Sequence, residues 1–283
     1  MDWSDVRIFL AIAREGTLRG AARQLGGTQP TMGRRLKALE ESVGEKLFQR
    51  TVDGFVLTDE GTALLGHAQR IEEEILTFQR QLAGHEQELE GMLRITSSDW
   101  FGTHLLSPVL VEFAATHPKV IIELLTDTRF YSLARCEADM AFRIQPFDEP
   151  NVVSRKLLKM RYAAYILKGT AHPVAGDGHG TALITMDTAF ESMPCYSWVQ
   201  NKLPGAHVAF RSNNRDVQAQ MCASGAGLAI LPIPLGERFA ELEVVDLGDE
   251  PPSRDTWVGY HQDLRRLKRL RVLLDLVIER LAN

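Results

Sequence analysis

The chain has no apolar run approaching the roughly 18 residues that a membrane-spanning helix needs, and its first residues, Met1-Asp2-Trp3-Ser4-Asp5, lack the basic-then-apolar layout of a secretory signal. A cytoplasmic protein is expected. Cysteine is scarce: Cys136, Cys195 and Cys222 stand far apart with no C-x-x-C pair, which excludes a disulfide framework and gives no support to a structural zinc site. Reduced thiols are the default. Catalytic signatures are also missing, because no G-x-S-x-G, H-E-x-x-H or G-x-x-x-x-G-K occurs, and Gly225-Ala226-Gly227 is followed by Ile230 where a dinucleotide fingerprint needs glycine. No catalytic residue, metal ligand or cofactor is assigned. A net charge of -5 argues against a general polyanion binder, yet residues 20–39 hold Arg23, Arg34, Arg35 and Lys37 and no acid at all.

What is present begins with three helical patterns. Val6, Phe9, Leu10 and Ala13 recur at helical spacing from Ser4 or Asp5 to Glu15, with Gly16 placed to end the helix. Thr17 caps a second helix, Leu18 to Leu25, and Gly26-Gly27 breaks it. Thr28 caps a third, with Pro30 in its first turn and Met32, Leu36, Leu39 and Val43 facing inward, before Gly44. Two short helices across a glycine turn, the second basic outside, form the helix-turn-helix arrangement that places a helix in the DNA major groove. Leu47 to Thr51 and Phe55 to Thr58 flank Asp53-Gly54, which predicts a hairpin with a type I′ turn and so a wing.

From Thr58 a long helix is predicted to about Glu90. Leu64, Ala68, Ile71, Ile75, Phe78 and Leu82 are spaced as a coiled-coil seam that His85 and Leu89 continue. A helix lying on its own domain shows the same spacing. Beyond residue 91, short β-branched runs alternate with helical segments, an α/β pattern. Strands are expected at Leu93 to Thr96, Val120 to Leu125, Met140 to Ile144, Tyr162 to Leu167, Leu183 to Met186, Tyr196 to Val199, Val208 to Phe210, Leu228 to Leu231 and Thr256 to Tyr260, with a last helix from Leu264 to Leu281.

Phe9, Gly16-Thr17, Ala21-Ala22, Leu25, Thr28-Gln29-Pro30-Thr31-Met32, Leu39-Glu40, Gly44, Leu47-Phe48-Gln49-Arg50 and Leu57-Thr58-Asp59-Glu60-Gly61 together resemble the LysR-type transcriptional regulators. Weaker matches continue through Leu105 to Pro108, Phe113, His117-Pro118, Ala138 to Arg143 and Gly225 to Pro232, so the resemblance covers nearly the whole chain. It departs at Gly33, where the family usually places a serine that touches DNA, and between Lys168 and Pro194. The resemblance implies an α+β multidomain protein: a winged helix-turn-helix over 1–58, a linker and dimerisation helix over 59–90, and a two-lobed, periplasmic-binding-protein-like effector domain over 91–283. Lobe I is expected at 91–162 and 266–283 and lobe II at 163–265, with the chain crossing near Met160 to Ala164 and returning near His261. It further implies a homodimer that assembles to a homotetramer, double-stranded operator DNA and a small-molecule effector as partners, and RNA polymerase as a further one.

Site residues follow from chemistry. Gln29, Pro30, Thr31 and Arg34 should meet the major groove, where glutamine suits adenine and arginine guanine, while Thr28, Arg35, Lys37 and Arg50 should hold phosphates and the wing should lie along the minor groove. Gly33 lies on the same surface. Open α/β sheets bind ligands beyond the carboxyl ends of their strands, which points to Ser97 and Ser98 after the first strand and Asn213 before a later helix. Arg143 would add charge, and Trp100, Phe101 and Phe147 apolar wall, around a small organic anion. Each has a plainer alternative: the serines as helix caps, Arg143 paired with a structural acid, the aromatics as core. A solute-binding or catalytic protein with an N-terminal assembly segment is the rival reading; the acid-free stretch speaks against it.

Overall fold

The computed structural model describes residues 2–84, 89–127, 129–190 and 193–282. It divides into two compact units, Met1–Gln81 and Leu82–Asn283. In the first, α1 (Trp3–Glu15) starts with a capping box in which Asp2 and Asp5 each accept from the other's backbone N–H, and it ends on Gly16 at φ 63°. α2 (Leu18–Leu25) is capped by the Thr17 hydroxyl and α3 (Gln29–Val43) by that of Thr28. Phe9, Leu10, Ile12, Ala21, Ala22, Met32, Leu36 and Leu39 are buried together as the core of the unit. The alanines leave no bulk between α1 and its neighbours, so the helices close on one another.

β1 (Phe48–Arg50) and β2 (Phe55–Leu57) form the wing, in antiparallel register with Arg50 opposite Phe55. Buried Glu40 on α3 holds the wing's root, accepting from the N–H groups of Leu47 at 3.0 Å and Phe48 at 3.3 Å and pairing with Lys46. The turn departs from expectation. It spans residues 51–54, and Asp53 is not at positive φ, so it is not a type I′ turn. Gly54, at φ 140°, instead lets the wing press on the α1–α2 turn, where the Phe55 N–H donates to the Gly16 carbonyl at 2.7 Å. A Cβ at residue 54 would lie 2.2 Å from that same oxygen.

α4 (Asp59–Gly84) begins where the Thr58 hydroxyl accepts from Gly61 N–H at 3.0 Å, with Asp59 and Glu60 at the positive end of the helix dipole. Along its seam Ala68 is buried and Ile75 half-buried, whereas Leu64, Ile71 and Phe78 are 39%, 42% and 64% exposed. That much apolar surface exposed in one stripe is the condition for a partner helix. The helix was expected to reach Glu90; His85 lies outside the described residues, and Leu89 stands in the connection to the next strand. No helix among the described residues is long and apolar enough to cross a membrane.

The second unit contains two five-stranded sheets. β3 (Gly91–Ser97) leads into α5 (Asp99–Phe101), a wide π turn over Gly102–Leu106 and α6 (Ser107–Thr116); β4 (Val120–Thr126), β5 (Met140–Arg143) and β6 (Val152–Met160) follow. The chain then crosses to β7 (Tyr162–Leu167), β8 (Ala182–Thr185), α7 (Pro194–Lys202), β9 (His207–Arg211), α8 (Arg215–Ala223), β10 (Leu228–Pro232), α9 (Ile233–Gly236) and β11 (Leu242–Val245). It returns as β12 (Arg254–His261) and ends in α10 (Lys268–Leu281). Sheet orders are β4-β3-β5-β12-β6 in lobe I and β11-β7-β10-β8-β9 in lobe II.

Three expectations are corrected. β12 pairs with β5 and β6 in lobe I, so the chain returns before Arg254 and not near His261, and lobe II does not extend to residue 265. Residues 196–199 are helical: Pro194 opens α7, and Cys195 and Val199, four apart, are its buried pair. β6 and β11 are edge strands beyond those expected: β6 exposes Arg155, Lys156 and Lys159, and β11 is four residues long with Val244 exposed, so neither shows the alternation by which a strand is read. Replacing Gly54 by Ala is expected to destabilise the wing by about 2 kcal/mol, measured in the full chain as faster hydrogen exchange at the Phe55 amide; unchanged exchange would refute the contact.

Candidate functional site

In the first unit, Thr28, Gln29, Pro30, Arg34 and Lys37 are exposed along α3, and Arg50 is exposed on β1. Positions 30, 34 and 37 recur one turn apart and so share one face. Thr31 is half-buried, its hydroxyl 2.9 Å from that of the capping Thr28. Gly33 leaves room beside α2, since a Cβ there would come 3.3 Å from the Leu18 Cδ1. Two of the expected phosphate contacts are already paired. Arg35 is half-buried and bonds Asp5 at 3.1 Å, with Asp2 3.6 Å away, so it fastens α3 to the start of α1; Lys37 lies 3.6 Å from Glu41 on its own helix. The latter pair is exposed and weak, and a phosphate would displace it at little cost.

In the second unit, a cavity of about 100 Å³ lies beyond the carboxyl ends of β3, β4, β5 and β8, between the two lobes. Ser97, Ser98, Trp100, Phe101, Arg143 and Asn213 all line it. Phe147 does not. Its ring instead lies 4.5 Å beneath the Arg143 guanidinium, with Phe130 at 5.0 Å from the same group. Ser98 precedes α5 without making a side-chain cap bond, and buried Ser97 donates to the Ser98 carbonyl at 3.1 Å. Gly102 must be small, because a Cβ there would come 2.7 Å from the Ser97 hydroxyl, and the π turn starts at this glycine.

Arg143 is the plainer alternative realised. Its Nη1 donates to Glu149 at 3.0 Å and its Nη2 to the Tyr131 carbonyl at 2.5 Å, which neutralises the charge and fixes the side chain. Its Nε is buried with no partner. So is the hydroxyl of Thr256 on β12, which lines the same cavity.

The charge that faces the cavity uncompensated is Arg215, which sequence reasoning missed. It is 7% exposed, and its guanidinium donates only to neutral groups: Gln218 Oε1 and the Ile230 carbonyl, both at 2.8 Å, and the Cys195 sulfur at 3.8 Å. No carboxylate pairs with it among the described residues. Gln218 is itself fixed by donating to the Ser212 carbonyl at 2.6 Å and that of Thr185 at 3.2 Å, so the arginine is held rigidly. The ring of Tyr162, whose phenol burial pushes above its usual range, lies 5.7 Å from the guanidinium. A signal for Arg215 was available: it is the first residue of α8, at the helix end where the dipole favours acids, and a cation there needs a reason.

Two polar contacts join the lobes beside the cavity. Asn214 caps α8 through its Oδ1 and donates from Nδ2 to Asp99 on α5 at 2.9 Å, and His104 Nε2 lies 2.5 Å from Asp216. Cys195 and Cys222 are buried, and burial pushes the Cys222 thiol up to about 11 while it donates to the Tyr165 carbonyl. At neutral pH that thiol is protonated and unreactive.

Known proteins match both units. The model of the LysR substrate binding domain matches residues 86–282, and that of the bacterial regulatory helix-turn-helix protein of the lysR family matches residues 3–62. Curated relatives include the HTH-type transcriptional regulator CrgA of Neisseria meningitidis, 26% identical over 99% of this chain and 97% of that one. The Mau operon transcriptional activator of Paracoccus denitrificans is 29% identical over 94% and 91%. Among solved structures, full-length AphB of Vibrio cholerae superposes with a TM-score of 0.68 at 19% identity over 99% of both chains, and the CrgA structure with 0.61 at 23% identity over the whole of both. With a recognition helix and wing in one unit and a two-sheet cleft in the other, each matched by the corresponding family model, the chain belongs to the LysR-type transcriptional regulators.

Proposed function

We propose that this regulator reads its operator through α3 and β1 and is switched by a small organic anion held in the cleft of the second unit. Gln29, Pro30, Thr31 and Arg34 meet base edges, with Thr28, Gly33, Lys37 and Arg50 along the phosphates. Arg35 contributes through its hold on α1 more than by direct contact. The protein works in the cytoplasm as a homodimer joined by the α4 seam and doubled to a homotetramer, and contact with RNA polymerase completes activation where the target demands it.

One observation supports the anion above all. Arg215 is a buried guanidinium with no counter-charge among the described residues, and buried charges are otherwise paired. A carboxylate in the cavity supplies the missing partner. Ser97, Ser98 and Asn213 then bind polar edges of the same ligand, and Trp100 and Phe101 cover its apolar part. Because the two lobes contribute different groups, the ligand favours the closed arrangement, a shift of population that the oligomer passes to its DNA-binding units.

Two measurements test these assignments. Arg34→Ala should weaken footprinting of the upstream operator at least about tenfold while leaving the oligomer and ligand binding intact, whereas Lys37→Ala should weaken all DNA alike and flatten the salt dependence. A normal Arg34→Ala footprint would sink the recognition-helix assignment. For the cleft, a thermal-shift panel of organic anions and cations should give saturable stabilisation by anions alone, lost in Arg215→Gln. Stabilisation by cations, or by anions in the variant as in the parent, would refute the reading. Asp216→Asn, which weakens the bridge to His104, should lower anion affinity severalfold without abolishing it.

A further inference from the structure

We infer that the effector is a monocyclic aromatic monocarboxylate bearing a second oxygen substituent, such as a hydroxybenzoate; this rests on the cleft being an anion site. Four features of the cavity lead to that class. Its volume, about 100 Å³, is far below that of a cleft for drug-sized ligands, and it is of the scale of the roughly 150 Å³ apolar cavity that takes up benzene. One ring fills it.

The number of charges is fixed by the arginines. Arg129, Arg143 and Arg215 all line the cavity, but Arg129 pairs with Glu137 at 3.2 Å and Arg143 with Glu149 at 3.0 Å, which among the described residues leaves Arg215 without a carboxylate. Asp99 and Asp127 stand in the wall as well. A dicarboxylate would therefore bury its second charge unpaired beside acids, a penalty that a monocarboxylate avoids.

The remaining wall selects the body of the ligand. Trp100, Phe142, Tyr162 and Phe190, with Met186 and Met193, present π faces and polarisable sulfur and few hydrogen-bonding groups. Inorganic phosphate or a polyhydroxylated acid would lose its water there without replacement. A flat ring finds stacking partners.

The last feature is the pair of orphaned donors in lobe I. Arg143 Nε and the Thr256 hydroxyl are buried without partners, and leaving such groups unsatisfied is unfavourable. Arg143 lies on the face of the lobe I sheet that its partner Trp257 shares, and Thr256 on the opposite face with Phe142 and Val258, whereas Arg215 belongs to lobe II; a ligand that satisfies Arg215 and Thr256 together therefore carries an acceptor besides its carboxylate. A phenolic oxygen accepts from the Thr256 hydroxyl.

Titration calorimetry of the full chain with the three hydroxybenzoate isomers, benzoate, succinate and inorganic phosphate decides the matter. At least one hydroxybenzoate should bind about tenfold more tightly than benzoate, with succinate and phosphate silent. Arg215→Met should abolish binding. Thr256→Val, which keeps the side chain's shape and packing, should bring the hydroxybenzoate down to the level of benzoate and leave benzoate unchanged. Succinate binding as tightly as any aromatic acid, with the Arg215 dependence intact, would overturn the aromatic class but not the anion site. Equal losses for both aromatic acids in Thr256→Val would overturn the second substituent. Absence of binding by every acid would overturn the class and the anion reading together.

Discussion

A buried guanidinium that no carboxylate among the described residues meets is the constraint around which the second unit is organised. Taking a charge out of water is strongly unfavourable unless hydrogen bonds and an opposite charge compensate, and Arg215 has only the first of these. The fold supplies what neutral compensation it can: the middle of β10 through the Ile230 carbonyl, the next helical turn through Gln218, and the face of Tyr162. Gln218 is anchored in turn to the ends of β8 and of the loop after β9. The result is a rigid cation at the mouth of lobe II whose compensation is left to whatever enters the cleft.

Arg143 shows the opposite solution in the facing lobe. It has Glu149, a backbone carbonyl and two aromatic faces, so its charge is spent within lobe I and it organises the loops after β4 and β5. Glu149 also accepts from the Leu133 N–H at 3.0 Å and from the Ser132 hydroxyl at the same distance, which binds the 131–137 turn to the wall of the cavity. Two arginines of similar burial thus play different parts, and the partner carboxylate decides which.

This difference marks the limit of what was legible in the sequence. Helix caps were readable because Thr17, Thr28 and Thr58, and the glycines at 16, 26 and 44, act through neighbours in the chain. The recognition helix followed from the same local signals, and six of the seven residues expected around the cleft do line the cavity, which lies at strand ends. What escaped depends on distant partners. The Glu149 that neutralises Arg143 is six residues away but across a turn that no period describes, and the pairing of β12 with β5 spans more than a hundred residues. Residues 196–199 misled because a four-residue apolar pattern suits either strand or helix, and Pro194 was the arbiter.

Two polar contacts, both at the start of α8, join the lobes beside the cavity. Asp216, one residue after Arg215, meets His104 of lobe I, and Asn214, one residue before it, meets Asp99. The three residues that open α8 therefore divide the work: the outer two reach across to the other lobe, and the central one faces the cavity. A ligand can shift an equilibrium only by the difference in its interactions with the two states. Under the proposed reading an anion meets Arg215 from lobe II and Ser97 and Thr256 from lobe I, so what it adds to closing the lobes is the second set of contacts, beside the two bridges already in place. The first turn of α8 would then be the point at which binding becomes a change of shape.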